Sequence, residues 1–241
     1  MKRVVFSILF FSLIPLVGQS QNIRSAYELK ELGVNKHQYK VNDFDSLSIT
    51  RTSFLDWLNS DNNNKLDGEI TVVDKAGNKR ISATFQSGTK LGVEYYWYKS
   101  GKLECERHWE PDQSYHSKTY YESGNIKSTA IHGNRKDAVY TAYYENGHME
   151  SLYDYSAQIE KTWYKNGQVH SDRSFKDKKY TEWYPNGTIK LTGSLNAAGW
   201  SRVGKWSYFD ANGKLTRELF YDNDNGALFS DESGWVNEKT Y

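Results

Sequence analysis

A short motif recurs six times along the chain and constrains its fold more than any other feature. Each copy has two adjacent aromatic residues followed three or four residues later by glycine. The copies occupy residues 97–101 (WYKSG), 120–124 (YYESG), 143–147 (YYENG), 163–167 (WYKNG), 183–187 (WYPNG) and 208–213 (YFDANG), the last with one extra residue. Successive glycines lie 20 to 26 residues apart, and a degenerate earlier copy is present at Lys75-Ala76-Gly77. Repetition at this period indicates an array of equivalent supersecondary units.

The motif predicts a β-hairpin in each copy. Asn-Gly or Ser-Gly between alternating apolar runs is typical of a two-residue type I′ turn, whose central residues need a positive φ. In the fourth copy this turn would place Tyr164 opposite Val169 and Trp163 opposite His170. The same count predicts four more aromatic–aliphatic cross-strand pairs: Tyr98 with Leu103, Tyr121 with Ile126, Tyr144 with Met149, and Tyr184 with Ile189.

The sixth copy needs a longer loop because of its extra residue. A three-residue loop, Ala211-Asn212-Gly213, with the glycine in the left-handed region, would restore Phe209 opposite Leu215. The chain has 19 Tyr and 8 Trp, residues that suit a half-buried pleated surface. The sequence therefore predicts an all-β protein: an open antiparallel meander of about six to seven β-hairpins with a small N-terminal cap.

Alternation along each strand predicts two different faces. One face would carry the paired aromatic residues and, further along, Trp109, Tyr155, Phe175, Leu195 and Tyr221. The other would carry a row formed by Trp97, Tyr120, Tyr143, Trp163, Trp183 and Tyr208. The predicted cross-strand neighbours of this row are polar: Glu104, Lys127, Glu150, His170, Lys190 and Thr216. Rings interleaved with polar groups suit the binding of a sugar, a peptide or a lipid headgroup; the alternative is that the rings only stiffen the sheet.

The repeats resemble a known family. The spacing of Gly88, Gly92, Tyr95 and Trp97 and the segment 204–209 (GKWSYF) with its following Asn-Gly are similar to the bacterial MORN-repeat variant. Proteins of this kind are often grouped with the YwqK-like antitoxin family. The resemblance covers about residues 85 to 221 and implies an open meander of hairpins. It also implies an antitoxin or immunity role as one possible function.

The N-terminus has the features of a secretory signal peptide. Lys2 and Arg3 precede an apolar run over residues 4–17, and small residues precede Gln21. The run is shorter than the ~20 residues of a membrane span, although an anchor is the alternative. We expect a signal peptide over 1–20, an N-terminal cap segment over 21–70, repeats over 71–221 and a C-terminal cap or tail over 222–241. The mature chain would be exported to the periplasm, the cell surface or the medium, with no transmembrane span.

The sequence offers little for catalysis or cofactors. Residues 59–67 resemble part of a calcium loop, but position 12 is Ile70 where a glutamate is required, so a polar turn is favoured. Residues 222–226 are interpreted as a turn. The six histidines have no metal-ligand spacing, no phosphate loop or nucleophile elbow is present, and Cys105 is the single cysteine. We therefore expect no enzyme activity, no metal and no cofactor.

Three functions fit these observations. The first is an exported scaffold that binds a protein or cell-envelope component. The second is an antitoxin or immunity protein, and the third is a carbohydrate-binding module that uses the aromatic row. Without Lys2 and Arg3, the formal charge of +1 falls to about −1, which gives no electrostatic reason to expect nucleic-acid binding.

Overall fold

A computed structural model describes residues 27–33, 36–41, 54–56, 58–59, 65–133, 137–221 and 238–240. Seventeen strands make up almost all of this structure. They are β1 (Tyr27–Gly33), β2 (Lys36–Val41), β3 (Gly68–Val73), β4 (Lys79–Gln86), β5 (Thr89–Trp97), β6 (Leu103–Trp109), β7 (Tyr115–Tyr120), β8 (Ile126–His132), β9 (Val139–Tyr143), β10 (Met149–Asp154), β11 (Ile159–Trp163), β12 (Val169–Ser174), β13 (Lys179–Trp183), β14 (Ile189–Leu195), β15 (Arg202–Phe209), β16 (Leu215–Tyr221) and β17 (Glu238–Thr240). The predicted signal peptide and the turn at 222–226 lie outside the described residues.

Each strand pairs with the next strand in the sequence. From β3 to β17 every pairing is antiparallel, which makes a fifteen-stranded meander. Strands β1 and β2 form a hairpin, and β2 then joins β3 in parallel. Among the described strands, no pairing joins β1 to β17, so the sheet stays open. The predicted all-β open meander is confirmed, whereas the parallel step at its start was not predicted.

The largest core lies at the N-terminal end of the sheet. Residues 54–56 and 58–59 are helical, and Phe54, Leu55 and Leu58 are buried. They belong to one cluster with apolar side chains of β2 to β6, including Ile70 and Tyr96. Hairpins alone would leave one apolar face of the sheet exposed to water. The apolar side of the helical turn covers this face, and the burial stabilises this end of the sheet. This end of the array is therefore the part anchored by a conventional hydrophobic core.

A second, smaller cluster lies near the C-terminal end. Trp206 packs with Leu191 and Leu195, and Tyr180, Tyr208 and Tyr221 surround it. The Trp206 ring lies over Gly193, its direct cross-strand partner, and its indole N–H donates to the carbonyl oxygen of Ser194 at 2.9 Å. Between the two clusters, the sheet consists of hairpins whose side chains are mostly half-buried.

Candidate binding surface

The hairpin loops have three residues, not two. In the fourth copy, the Tyr164 N–H donates to the Gln168 carbonyl at 2.8 Å and the Gly167 N–H donates to the Tyr164 carbonyl at 2.8 Å. Gly167 has a φ of +86°, whereas Asn166 does not have a positive φ. This is a type I turn closed by a left-handed glycine, the geometry predicted only for the sixth copy. The type I′ prediction is therefore wrong for the first five copies.

The three-residue loop changes the cross-strand register. Trp163 lies opposite Val169, so the predicted pairs of Trp163 with His170 and of Tyr164 with Val169 are wrong. The observed aromatic–aliphatic pairs are Trp97 with Leu103, Tyr120 with Ile126, Tyr143 with Met149, Trp163 with Val169, Trp183 with Ile189, and Phe209 with Leu215. Only the last pair was predicted correctly. In every copy the aromatic member of the pair lies four residues before the loop glycine. The same is true of Phe209 and Gly213, so the sixth copy has the same length as the others and no extra residue.

A β-bulge follows in every hairpin. In the fourth copy the register shifts between Trp163 and Thr162, so His170 is the extra residue on the second strand. The His170 ring lies 3.1 Å from the Thr162 hydroxyl and packs on the Tyr164 ring. The bulge residues thus join the face that carries Tyr164 and Thr162. We call this the back face, and the face that carries Trp163 and Val169 the front face.

The front face carries an apolar stripe with one aromatic–aliphatic pair in each hairpin. Back-face pairings between hairpins, such as Ser151 with Thr162 and Ser171 with Glu182, keep the rings of successive hairpins on the front face from β5 to β16. This aromatic stripe consists of Trp97, Leu103, Tyr120, Ile126, Tyr143, Met149, Trp163, Val169, Trp183, Ile189, Phe209 and Leu215. Most of its members are half-buried, while Ile126 and Ile189 are each 40% exposed. At the usual strand spacing, the row is about 50 Å long.

The stripe contains five of the six residues predicted from the sequence as binding residues. Trp97, Tyr120, Tyr143, Trp163 and Trp183 each end the first strand of a hairpin. Tyr208 does not belong with them, because it precedes the equivalent residue, Phe209, and lies on the back face against Leu191 and Arg217. The polar cross-strand neighbours predicted for the row are also wrong. The β-bulge moves those polar side chains to the back face, and the residues paired with the five rings are aliphatic or Met149.

The back face holds successive hairpins together through tyrosine hydroxyls. The Tyr164 hydroxyl donates to the Trp183 carbonyl of the next hairpin at 2.7 Å. Equivalent bonds run from Tyr98 to Tyr120, from Tyr121 to Tyr143, from Tyr144 to Trp163, and from Tyr184 to Phe209, at 2.6 to 3.0 Å. At the start of the row, the Arg80 Nε–H donates to the Trp97 carbonyl instead. This tyrosine ladder fixes the main chain at every aromatic residue of the stripe, so the rings are held in line from behind.

Asparagine side chains repeat the same linkage at the loop edge. Asn146, Asn166 and Asn186 each donate an amide N–H to a loop carbonyl of the following hairpin, at 3.0, 3.2 and 2.8 Å. The motif residues that the sequence marked as turn formers therefore also act between repeats. The sequence does not distinguish linkage between repeats from turn formation, because asparagine suits both roles.

The back face also buries a charged cluster beside the N-terminal core. The Glu94 carboxylate is fully buried and accepts from the Tyr96 hydroxyl at 2.8 Å and from the Trp109 indole at 3.2 Å. Lys90 and Arg107 lie 3.1 Å and 3.4 Å from the same carboxylate. Burial raises the pKa of Tyr96 far above its ordinary value. Two cations and two hydroxyl or indole donors satisfy Glu94, which is how a buried charge is tolerated. This cluster is structural.

The remaining sequence candidates have structural roles where they are described. The Asn59 side chain donates to the Gly88 carbonyl at 2.8 Å, and Asp67 accepts from the Ser87 N–H at 3.0 Å, so both hold the turn between β4 and β5. Residues 60–64 lie outside the described residues. Burial raises the pKa of the Cys105 thiol to about 11, which disfavours the reactive thiolate. Within the described part of the chain, no three His, Cys, Asp or Glu side chains could hold a metal ion together. No helix in that part is long and apolar enough to cross a membrane.

Comparison with known proteins identifies the repeat. A family model described as the MORN repeat variant matches residues 90–110, 116–133, 136–157, 159–177 and 202–223. Each matched segment contains one hairpin. The hairpin of β13 and β14 falls outside the matches, yet Gly187 and the Tyr184 hydroxyl give it the same loop and the same ladder bond. No curated protein matches the chain. The chain therefore carries five matched copies of the MORN repeat variant, in an array of hairpins that continues between and before them.

Proposed function

We propose that this protein is an exported, non-catalytic scaffold that binds a protein or cell-envelope component through the aromatic stripe. One observation carries the proposal: each of six successive hairpins places one aromatic–aliphatic pair on the same face of the sheet. Large contiguous apolar surfaces on a soluble protein usually mark interaction sites. The ladder behind the row supports the proposal, because rings on a fixed main chain lose little conformational freedom on binding.

The signal-like N-terminus supports export, and the near-neutral charge of the mature chain argues against nucleic acid as partner. Intact-mass measurement of the protein from its native source tests this part. We expect a chain that begins at or near Gln21. A full-length species in the cytoplasm would contradict export without affecting the binding proposal.

A capture experiment tests the stripe. Mature protein and a Trp163→Ala/Trp183→Ala variant are immobilised and exposed to cell-envelope extract. Trp200→Ala is the matched control, because Trp200 is exposed but packs on Phe175 and Arg173 of the back face. We expect a partner retained by wild type and control and lost by the stripe variant. Equal capture by all three proteins would refute the role of the stripe.

An antitoxin or immunity role is the second possibility, supported by the family resemblance. It requires a toxin that is itself exported, and binding of such a toxin to the mature protein would favour it over a general scaffold. The carbohydrate-binding alternative loses its main support with the corrected register. It depended on polar side chains between the rings, and those positions hold aliphatic side chains.

A further inference from the structure

Four of the described hairpin loops contain an asparagine followed directly by the left-handed glycine. They are Asn146-Gly147, Asn166-Gly167, Asn186-Gly187 and Asn212-Gly213. An asparagine–glycine pair is especially prone to spontaneous deamidation, because glycine has no side chain to shield its backbone nitrogen from the neighbouring amide carbon. In a folded protein the reaction also depends on how firmly the asparagine side chain is held. The four loops can therefore be compared directly.

Three of the four asparagine side chains are held at both ends. The amide N–H groups of Asn146, Asn166 and Asn186 donate to loop carbonyls of the following hairpin. Their amide oxygens accept from the main-chain N–H two residues later, at 3.2, 3.1 and 3.1 Å. Rotation of any of these amides towards the glycine nitrogen would break both bonds.

Among the described residues, the side chain of Asn212 makes neither bond. The Asp210 carboxylate accepts from the N–H groups of Asn212 and Lys214, both at 2.9 Å. It thus takes the Lys214 N–H, whose counterpart in the other three loops donates to the asparagine. Asn212 is also exposed. The Gly213 N–H donates to the Asp210 carbonyl at 3.0 Å, much as the other three loop glycines donate at 2.8 to 2.9 Å, so the loops differ in the asparagine side chain and not in the attacking nitrogen.

We propose that Asn212 is a site of spontaneous modification, at which the folded protein converts asparagine to aspartate or isoaspartate while the three linked asparagines stay intact. The backbone nitrogen of Gly213 loses its proton to a base in the solvent and forms a bond to Cγ of Asn212. The Cγ–Nδ2 bond breaks, the leaving nitrogen takes up one proton and departs as ammonia, and a succinimide ring remains. Water then adds to either ring carbonyl and opens the ring. Nothing is oxidised or reduced, and no enzyme is required.

The modification would loosen the asparagine linkage at one end of the array. It adds a negative charge beside Asp210 and, in isoaspartate, one extra carbon atom to the main chain of the loop. The neighbouring Ala211 carbonyl accepts from Asn186 and Thr188 of the preceding hairpin. A rearranged loop would therefore weaken these contacts first and leave the links between earlier hairpins unchanged.

Tryptic peptide mapping of the folded protein, incubated at pH 8, tests the proposal. Asn212 lies in the peptide 206–214, whereas Asn225, in an asparagine–glycine pair outside the described residues, lies in the peptide 218–239. Incubation in water enriched in heavy oxygen, before digestion in ordinary water, marks the product, because ring opening inserts one oxygen atom from the solvent. We expect Asn212 to convert at least about tenfold faster than the three linked asparagines, whose reaction must first break two hydrogen bonds. Conversion no faster than theirs would overturn the proposal.

The same incubation in urea controls for local sequence. Once unfolding has removed the linkages, all four asparagines should convert at similar rates. A preference for Asn212 that persisted undiminished in urea would come from the neighbouring residues and would overturn the structural argument.

Asp210→Ala tests the cause. Without the carboxylate, the Lys214 N–H can donate to the amide oxygen of Asn212, as the equivalent group does in the other three loops, and conversion should slow severalfold. An unchanged rate in a variant that a thermal melt shows to be folded would overturn the role of Asp210. The comparison of the four asparagines in the wild-type protein does not depend on this variant and decides the proposal if the variant fails to fold.

Discussion

Replacing Gly193 by alanine should destabilise the C-terminal part of the array strongly. An added Cβ atom would lie 2.4 Å from Cδ2 of Trp206 and 2.5 Å from Cε2 and Cγ. Carbon atoms in contact prefer about 3.5–4.0 Å, so the overlap is about 1 Å. Trp206 is only 1% exposed and is held between Leu191, Leu195 and neighbouring tyrosines, so its ring has no free space to enter.

The cost follows from two changes. Overpacking a filled site typically costs about 1–3 kcal/mol. Displacing the ring also stretches its hydrogen bond to Ser194, worth about 0.5–1.5 kcal/mol. We expect a total near 2–4 kcal/mol, or a melting temperature lower by about 5–15 °C for a chain of this size. Because each repeat contacts only its neighbours, the loss should be concentrated in β13 to β16.

The assay is denaturant unfolding of Gly193→Ala followed by tryptophan fluorescence. Gly133→Ala is the matched control, since its φ is not in the left-handed region and its nearest neighbour is Ser114 Cβ at 3.3 Å. The control should cost under about 0.5 kcal/mol. Combining Gly193→Ala with Trp206→Phe should cost less than the sum of the two, because the smaller ring relieves the overlap. Equal stability of Gly193→Ala and Gly133→Ala would refute the packing argument.

Further predictions concern the ladder, the loops and the titrating groups. Tyr164→Phe removes the hydroxyl that bonds to the Trp183 carbonyl and should cost about 0.5–1.5 kcal/mol in urea unfolding; no loss would mean that the ladder bond contributes nothing. Gly167→Val should cost about 1–3 kcal/mol and Gly167→Asn clearly less, because asparagine tolerates a left-handed φ; the reverse order would contradict the loop assignment. Cys105, with a pKa raised by burial to about 11, should resist alkylation at pH 8 until the protein unfolds, so rapid native labelling would contradict its burial. Burial raises the pKa of Tyr120 to about 12, above about 10 in an unfolded chain. Its contribution to stability is therefore complete below pH 10 and is lost as the pH rises towards 12, which denaturation at pH 8 and pH 11 would detect; equal stability at both values would contradict it.

The repeat, the hairpins and the opposite faces of Trp163 and Tyr164 could be predicted because they follow from glycine position and strand alternation. The loop length could not be read from Asn-Gly alone, since that dipeptide fits both a two-residue turn and a three-residue loop. Aligning all six copies on their glycines would have favoured the three-residue loop and identified Phe209.

The bulge left no comparable signal. Its position holds Glu104, Lys127, Glu150, His170, Lys190 and Thr216, residue types with nothing in common except that all are polar. A bulge depends on how two strands pair, which one strand's sequence does not record. For this reason the sequence analysis predicted polar residues opposite the rings and missed their aliphatic cross-strand partners. The parallel pairing of β2 with β3 likewise depends on a chain crossover that alternation does not encode.

The tyrosine ladder gives the array a direction. Every hydroxyl donates towards the C-terminal neighbour, so each hairpin from β7–β8 to β13–β14 accepts from the copy before it and donates to the copy after it. The last hairpin among the described residues has Asp210 in the donor place, and this side chain accepts from the N–H groups of Asn212 and Lys214 within its own loop. A duplicated hairpin inserted inside the array would find both a donor and an acceptor, whereas one added after β16 would find no donor. Aspartate at this place does not by itself end the array, because Asp74 holds the same place in the hairpin of β3 and β4, and there the Arg80 Nε–H donates to the next hairpin instead. A hairpin added after β16 would therefore need a donor from outside the tyrosine ladder.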